Sequence, residues 1–212
     1  MGSSSQPPAA LSAEDKARRA AVDKLRADFE ERVRTLAYAL AVGRITLVLW
    51  LAAMQDEIRR YHLACAAIGA NGVIDEAIVR LVEQRSTEQI HYLNQWASAL
   101  STATITAALF ALIRSRALLY AGAGLATFYR AVTTVAGMPA LPAYPGDGST
   151  ECLTNCQCWW IINRLGSGDW DCFWWIQSAE HCPQCAARSF EWYPLKIRGG
   201  VIQPYNRAGL FA

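Results

Sequence analysis

The sequence predicts an α+β fold in which long N-terminal α-helices are followed by a small β-hairpin module with one short helix. Apolar residues recur at helical spacing over residues 12–137, which indicates amphipathic helices. Beyond Pro139 the composition changes to aromatic and β-branched runs separated by Gly and Pro, which is typical of short strands and turns. Six of the seven cysteines fall in this second part, between Cys152 and Cys185.

The first predicted helix begins at Ser12. Asp15 follows three residues later, a spacing that resembles a capping box. Apolar residues three or four apart then line one helix face: Leu25, Phe29, Val33, Leu36 and Leu40. Gly43 is expected to end the helix. Charged residues occupy much of the remaining surface, so the apolar face must pack against other elements.

Three further helices are expected before Pro139. Their boundaries fall at hydroxyl residues, which favour N-caps, and at glycines and prolines, which end helices. The expected ranges are Thr46 to about Ile68, about Ile74 to about Ala99, and Ser101 or Thr102 to Gly137. The sequence therefore predicts four helices in total before the composition changes.

Residues 97–113 carry no charge over 17 positions, which raises the possibility of a membrane span. A spanning helix needs roughly 20 predominantly apolar residues. This run contains five Ser and Thr residues, and Arg114 and Arg116 follow at once. A buried or partner-facing helix is therefore the favoured interpretation, and a small membrane-associated protein is kept as an alternative.

The composition divides the chain into five parts. They are a flexible tail over 1–11, a helical domain over 12–137, a Pro/Gly-rich linker arm over 138–150, a Cys-rich module over 151–195 and a C-terminal extension over 196–212. The linker arm cannot continue a helix, and Pro145 to Gly148 should form a turn within it. The domain boundary is placed at this arm.

Two strands and one short helix are expected in the Cys-rich module. The strands cover Cys158 to Ile162 and Trp170 to Ile176, and the Gly-rich residues 165–169 connect them as a hairpin. Residues 184–192 can form the short helix before Pro194 stops it. The hairpin places cysteines of both flanking segments at one end of the module.

The first eight residues have neither a basic start nor an apolar core, so they do not predict a secretory signal. The chain is therefore expected to be used in a reducing cytosol, where clustered cysteines favour a metal over disulfides. A module of about 55 residues buries only a small core and usually needs a metal or cross-links. Disulfides, or thiols that are merely packed, remain the alternatives.

Two cysteine groups flank the hairpin and supply more than the four thiolates that tetrahedral zinc requires. We predict that zinc is bound by four of five cysteines: Cys152, Cys156, Cys158, Cys182 and Cys185. Cys152 and Cys156 are favoured within the first group, and the module is expected to be zinc-ribbon-like. His181 is an outside candidate, whereas Cys172 and Cys65 are expected to be buried apolar residues.

The zinc is expected to be structural, and the protein is not expected to be an enzyme. A catalytic zinc needs an open coordination position and a nearby base, and only Glu180 and His181 are adjacent to the cysteines. Other enzyme motifs are missing from the sequence. Gly122-Ala-Gly124 lies inside a predicted helix, so it indicates close helix packing instead of a phosphate-binding loop.

The Cys-rich part resembles the C-terminal segment of minor head, or head morphogenesis, proteins of tailed bacteriophages and prophages. The likeness rests on residues 141–159 (LPAYPGDGSTECLTNCQCW), on Trp170-Asp-Cys172, on residues 179–185 (AEHCPQC) and on residues 191–195 (EWYPL). It covers about residues 138–195 and is looser upstream, where Val42-Gly-Arg-Ile-Thr46 agrees with it. In that family a His commonly precedes the Asn-Cys-x-Cys motif, whereas Cys152 occupies this neighbourhood here.

The resemblance implies a virion component that is made in the host bacterial cytoplasm and acts in head assembly or in DNA packaging and ejection. The partners that it implies are the phage portal protein, the capsid protein or both, and possibly the packaged DNA. The protein is expected to be present in several copies per particle and to have no small-molecule substrate. Exposed tryptophans of the module would supply a protein interface: Trp159, Trp160, Trp174, Trp175 and Trp192.

A nucleic-acid-binding zinc adaptor is the alternative function. It would use basic residues around stacking tryptophans: Arg164, Arg188, Lys196, Arg198 and Arg207. The formal net charge is only +2, and 20 basic residues are interleaved with 18 acidic ones. Any contact with nucleic acid would therefore have to be local, since no extended basic stripe exists.

Overall fold

A computed structural model describes residues 12–100, 107–176 and 181–204 and confirms the α+β class. Within these ranges the elements are α1 (Ala13–Ala41), α2 (Leu47–Gly69), α3 (Glu76–Leu100), α4 (Ala107–Val135), a 3-10 turn (Leu153–Asn155), β1 (Trp159–Gly166), β2 (Asp169–Trp175), α5 (Pro183–Glu191), β3 (Leu195–Arg198) and β4 (Val201–Ile202). The predicted start of the fourth helix, at Ser101 or Thr102, lies outside the described residues.

The helix starts follow the predicted caps. The backbone N–H of Asp15 donates to Ser12 Oγ at 3.0 Å, and that of Leu49 donates to Thr46 Oγ1 at 3.3 Å. These bonds satisfy amides that have no partner inside the helix. The predicted apolar stripe of α1 also faces inward, because Phe29 and Val33 are fully buried.

The helices pack together as a bundle in which α2 contacts α1, α3 and α4, and α4 also contacts α1 and α3. Tyr61 of α2 stacks on Phe29 of α1, with ring centroids 4.5 Å apart, and donates its hydroxyl to Ala121 O of α4 at 2.5 Å. Gly124 lies directly against the Tyr61 ring, where a Cβ would overlap the ring atoms. The prediction that the Gly122–Gly124 segment is a close-packing site is thus confirmed.

The second part of the chain forms an antiparallel sheet in the order β1-β2-β3-β4. The predicted hairpin is present, with Trp160 opposite Trp174 in its register. The sheet also contains two strands that the sequence did not predict, and in the β2–β3 pair Cys172 lies opposite Leu195. Residues 196–202, predicted to belong to a C-terminal extension, therefore contribute to the sheet.

Residues 138–150 have no helix or strand, as their Pro and Gly content predicts, yet they are packed into the molecule. Leu141, Ala143 and Tyr144 are buried, and the indole N–H of Trp160 donates to Ala143 O at 2.9 Å. One buried cluster contains residues of the helices, this segment and the sheet. The division into domains stays a prediction, and the tail over 1–11 lies outside the described residues.

Most tryptophans of the module fill its interior. Trp160 and Trp174 are buried, and both rings contact Trp192 at centroid distances of 5.4 and 5.6 Å. Of the five tryptophans considered for an interface, Trp175 is 38% exposed. The aromatic side chains of the module therefore mainly form its core.

Among the described residues, every helix is too short or too polar for a membrane span.

Candidate metal centre

The first cysteine group lies on the chain that leads into β1. Cys152 precedes the 3-10 turn, Cys156 follows it, and Cys158 directly precedes β1. The turn is tight because Leu153 has a positive φ of 49°. It docks on α4 at Gly122, where a Cβ would overlap the carbonyl group of Thr154. The cysteines are thus held against the helical part of the molecule.

The second cysteine group opens α5. Cys182 is the N-cap of this helix, and Pro183 occupies its first position, where the missing N–H costs no hydrogen bond. Cys185 lies in the first turn and is buried. The backbone amides of a helix N-terminus favour negative charge, which suits a thiolate at Cys182, whereas burial outweighs this effect at Cys185 and raises its pKa.

Side chains of α5 tie the two cysteine groups together. The amide of Glu151 donates to Gln184 Oε1 at 2.7 Å, and Arg188 donates to both Oγ and O of Ser149 at 3.1 Å. The Arg188 guanidinium also lies over the Trp174 ring, 5.3 Å from its centroid. These contacts bring the two cysteine groups together independently of any disulfide bond.

The sulfur atoms of the two groups converge. Those of Cys152, Cys156 and Cys185 lie within 4.8 Å of one another, and Cys185 Sγ is 3.7 Å from both of the others. Cys182 Sγ lies 3.8 Å from Cys152 Sγ. A regular tetrahedron of sulfurs about 2.3 Å from a central zinc has edges of about 3.8 Å. The observed separations match this edge and are far from the S–S bond length of about 2.05 Å.

All seven cysteines are free thiols. Cys152, Cys156 and Cys185 can therefore hold a metal ion, with Cys182 and Cys158 close by. Thiolates are soft ligands that suit zinc and iron–sulfur centres, whereas Mg²⁺ and Ca²⁺ prefer oxygen.

Within the cysteine cluster, Cys156 and Cys182 are the thiols whose pKa values are lowered. Hydrogen bonds from the thiol and the amide of Cys158 lower the pKa of Cys156 to about 5 against desolvation by burial. Sharing of the proton with Cys156, followed by burial, raises the pKa of Cys158, and burial raises the pKa values of Cys152 and Cys185. Desolvation acts to raise the pKa of Cys182, but the amides of Cys185 and Cys152 lower it overall. Cys156 is therefore the thiol of the cluster that loses its proton most readily.

The remaining candidates behave differently. His181 Nδ1 lies 3.9 Å from Cys158 Sγ, so it adjoins the cluster through that cysteine. Cys172 and Cys65 are both fully buried away from it, which confirms their prediction as apolar core residues. Burial raises the pKa of each of these two thiols to about 12, so they stay protonated at neutral pH.

The basic residues of the nucleic-acid alternative are partly engaged within the fold. Arg188 binds Ser149, and Arg198 Nη2 lies 2.6 Å from Asp171 Oδ1. Arg164 and Lys196 are exposed, and Arg207 lies outside the described residues. Fewer basic side chains are therefore left to bind nucleic acid than the sequence alone suggested.

Comparisons with protein-family models, with curated proteins and with solved structures returned no match.

Proposed function

We propose that the protein is a structural component of a bacteriophage head whose C-terminal part is stabilised by one zinc ion. The observation that carries the metal assignment is the convergence of the Cys152, Cys156 and Cys185 sulfurs, two of whose separations are 3.7 Å, with Cys182 Sγ 3.8 Å from Cys152 Sγ; these distances are close to an edge of a zinc–thiolate tetrahedron. Cys152, Cys156, Cys182 and Cys185 are the proposed ligands. The likeness of residues 138–195 to minor head proteins supports the assignment to the phage head.

Four thiolates close the coordination sphere, so this zinc has a structural role and no position for a substrate. It joins the chain before β1 to the first turn of α5, and the 3-10 turn between Cys152 and Cys156 rests on α4. Zinc therefore fixes the sheet, α5 and the helices relative to one another. Such a rigid surface suits a protein that must dock on portal or capsid subunits in several copies.

The phage-head proposal is tested with purified particles of the phage that encodes the chain. Quantitative mass spectrometry should find the protein in full heads at a fixed number of copies, at a constant ratio to the portal protein. A chain that is made during infection but excluded from particles contradicts the proposal. Chemical cross-linking of the same particles should join the chain to portal or capsid subunits.

The contribution of zinc is tested by complementation. A phage carrying Cys185→Ser should yield fewer intact heads, because the module loses a ligand. The matched control is Cys65→Ala, which changes a buried thiol outside the cluster. Normal head yield with Cys185→Ser, together with loss of the metal, would show that the ion is dispensable for assembly.

A further inference from the structure

The corner between α1 and α2 exposes several large apolar side chains. They are Tyr38, Val42, Val48 and Leu49, which together form the apolar tip. Val48 is the most exposed of the four, at 76%. Single exposed apolar residues are ordinary, but several in one place mark a surface that contacts something else. The tip lies in the helical part of the molecule and contains none of the cysteines.

The local fold brings the four side chains to one corner. The amide of Arg44 donates to Ala39 O at 2.8 Å, so the chain turns back onto the last turn of α1. The Arg44 guanidinium lies over the Tyr38 ring, 5.8 Å from its centroid. The first turn of α2 follows directly and carries Val48 and Leu49. The tip is thus a protruding helix–helix corner with one cation at its edge.

The surroundings of the tip contain no carboxylate in the sequence. Over residues 35–55, Arg44 is the only charged residue. The last turns of α3 lie beside the first turns of α2, because the Trp96 and Trp50 rings contact each other at 5.9 Å between centroids. Residues 89–113 contain no Asp, Glu, Lys or Arg. These segments give one end of the bundle an almost uncharged surface with a single positive charge.

The other end of α2 differs in its charge. Val73 and Ile74 are exposed there, but Asp75 and Glu76 follow them directly in the sequence. The 23 residues of α2 span about 34 Å at 1.5 Å per residue, so the two ends are well separated. Exposed apolar side chains therefore occur at both ends, and the tip is distinguished by its lack of carboxylates.

We propose that the apolar tip inserts into the surface of an anionic lipid bilayer. Interfacial elements bury apolar side chains about 5–10 Å into the headgroup boundary, and anionic headgroups attract nearby cations. Tyr38 and Arg44 suit this boundary, because each has an apolar body and a polar end that stays at headgroup level. A corner enters the bilayer, so no spanning helix is needed. This inference goes beyond the proposed head function and does not depend on the metal.

A second copy of the chain fits the tip less well. In a symmetric dimer the same patch of both copies forms the contact. Such a contact would bring the two Arg44 side chains together, and residues 35–55 supply no carboxylate to neutralise them. Like charges that face each other across an interface are unfavourable. Anionic lipid instead provides the negative charge that the tip lacks.

The proposal is tested by flotation of the full chain with vesicles of phosphatidylglycerol and phosphatidylcholine. Lipid is used at millimolar concentration, because even a single myristoyl chain gives only marginal binding. The chain should float with these vesicles and should bind severalfold more weakly to phosphatidylcholine alone. Absence of flotation would overturn the proposal, and equal binding to both vesicles would overturn the role of the anionic lipid. A dimer in lipid-free solution that Val48→Asp dissociates would identify a second copy as the occupant and would also overturn the proposal.

Variants locate the binding. Val48→Asp and Leu49→Asp should each weaken binding to the anionic vesicles at least about tenfold, because an apolar side chain no longer inserts. Arg44→Gln should weaken it about fivefold. Val73→Asp is the matched control, since it makes the same change at an exposed valine of the other end, and it should bind as the parent does. All four positions are exposed, so the variants should keep the fold. Parent-like binding by both tip Asp variants, or an equal loss in Val73→Asp, would overturn the proposal.

Hydrogen exchange gives an independent result. The first amides of a helix have no partner within the helix, so they exchange readily in the free chain. Anionic vesicles should slow exchange in residues 42–50 and leave residues 70–76 unchanged. Slowing in residues 70–76 without any in residues 42–50 would overturn the placement of the lipid contact at the tip.

Discussion

The contact between Gly122 and the 3-10 turn links the helices to the metal centre, and Gly122→Ala tests that link. A Cβ at this position would meet the Thr154 carbonyl at a distance that real Cβ atoms do not show, and would lie 2.7 Å from Thr154 Cβ. The obstacle is backbone, so no side-chain rotation relieves it. The turn or α4 must therefore shift, as happens when a dense core is overpacked.

The expected magnitude follows from that displacement. Overpacking a dense core costs about 1–3 kcal/mol of the free energy of unfolding. The turn lies between Cys152 and Cys156, so two proposed ligands move with it. Disturbing the surroundings of metal ligands typically lowers affinity about 10- to 100-fold. Gly122→Ala should therefore lower both stability and zinc affinity.

The assay combines urea unfolding with competition for zinc against a chromogenic chelator. Gly166→Ala is the matched control, because a Cβ there meets nothing within 4 Å and the residue has no positive φ. It should change the free energy of unfolding by no more than about 0.5 kcal/mol. Parent-like stability and zinc affinity for Gly122→Ala would refute the claim that the turn is wedged against α4. A stability loss without an affinity loss would refute only the coupling to the metal.

Three further predictions follow from single features. Burial, with a smaller contribution from Arg85, lowers the pKa of His62 from 6.5 to about 3, so the unfolded chain takes up its proton first as the pH falls. The contribution of His62 to the free energy of unfolding is complete above pH 6.5 and is lost towards pH 3, with about 2 kcal/mol lost by pH 5. In His62→Gln the free energy of unfolding should therefore fall less steeply as the pH is lowered. An unchanged pH dependence in this variant would contradict the burial of a neutral His62. Chelation of the metal should expose several thiols of the cluster to a thiol reagent while Cys65 and Cys172 stay protected in the folded chain, and equal reactivity with and without chelator would speak against bound metal. Arg188→Gln removes the bonds to Ser149 and the contact with Trp174, so urea unfolding should show a loss of about 1–2 kcal/mol; Arg59→Gln should change little, and an equal loss in both variants would argue against a special role for Arg188.

Local sequence signals predicted the helices well because several of their boundaries in the described part of the chain have a local cause. Ser12 and Thr46 cap their helices through side-chain bonds that involve residues only three positions away. The end of the fourth helix is likewise fixed by Gly137 and Pro139. Positions of this kind are determined by short-range chemistry, which a single sequence displays.

The third and fourth strands could not be predicted in the same way. Leu195–Arg198 and Val201–Ile202 are too short for an alternating pattern to stand out. Their pairing with β2 depends on contacts between residues far apart in the chain. The burial of Tyr144 is a similar case, because Pro and Gly predict an irregular backbone but say nothing about what that backbone contacts.

The sequence predicted which cysteines form the candidate site but not how they are arranged in space. Cysteine spacing indicated that two groups flank a hairpin, and the structure brings them together. The spacing alone left three candidates in the first group. The 3-10 turn, which depends on the positive φ of Leu153 and on the close approach of Gly122, places Cys152 and Cys156 beside Cys185.

The most direct test of the account is metal analysis combined with X-ray absorption at the zinc edge, on protein purified from cells without added metal. The account predicts one zinc per chain and a first shell of four sulfurs at about 2.3 Å. In Cys182→Ser and Cys185→Ser the zinc content should fall sharply, while Cys65→Ala should retain one equivalent. A metal-free parent protein with reduced thiols, or a first shell dominated by oxygen, would contradict the central claim.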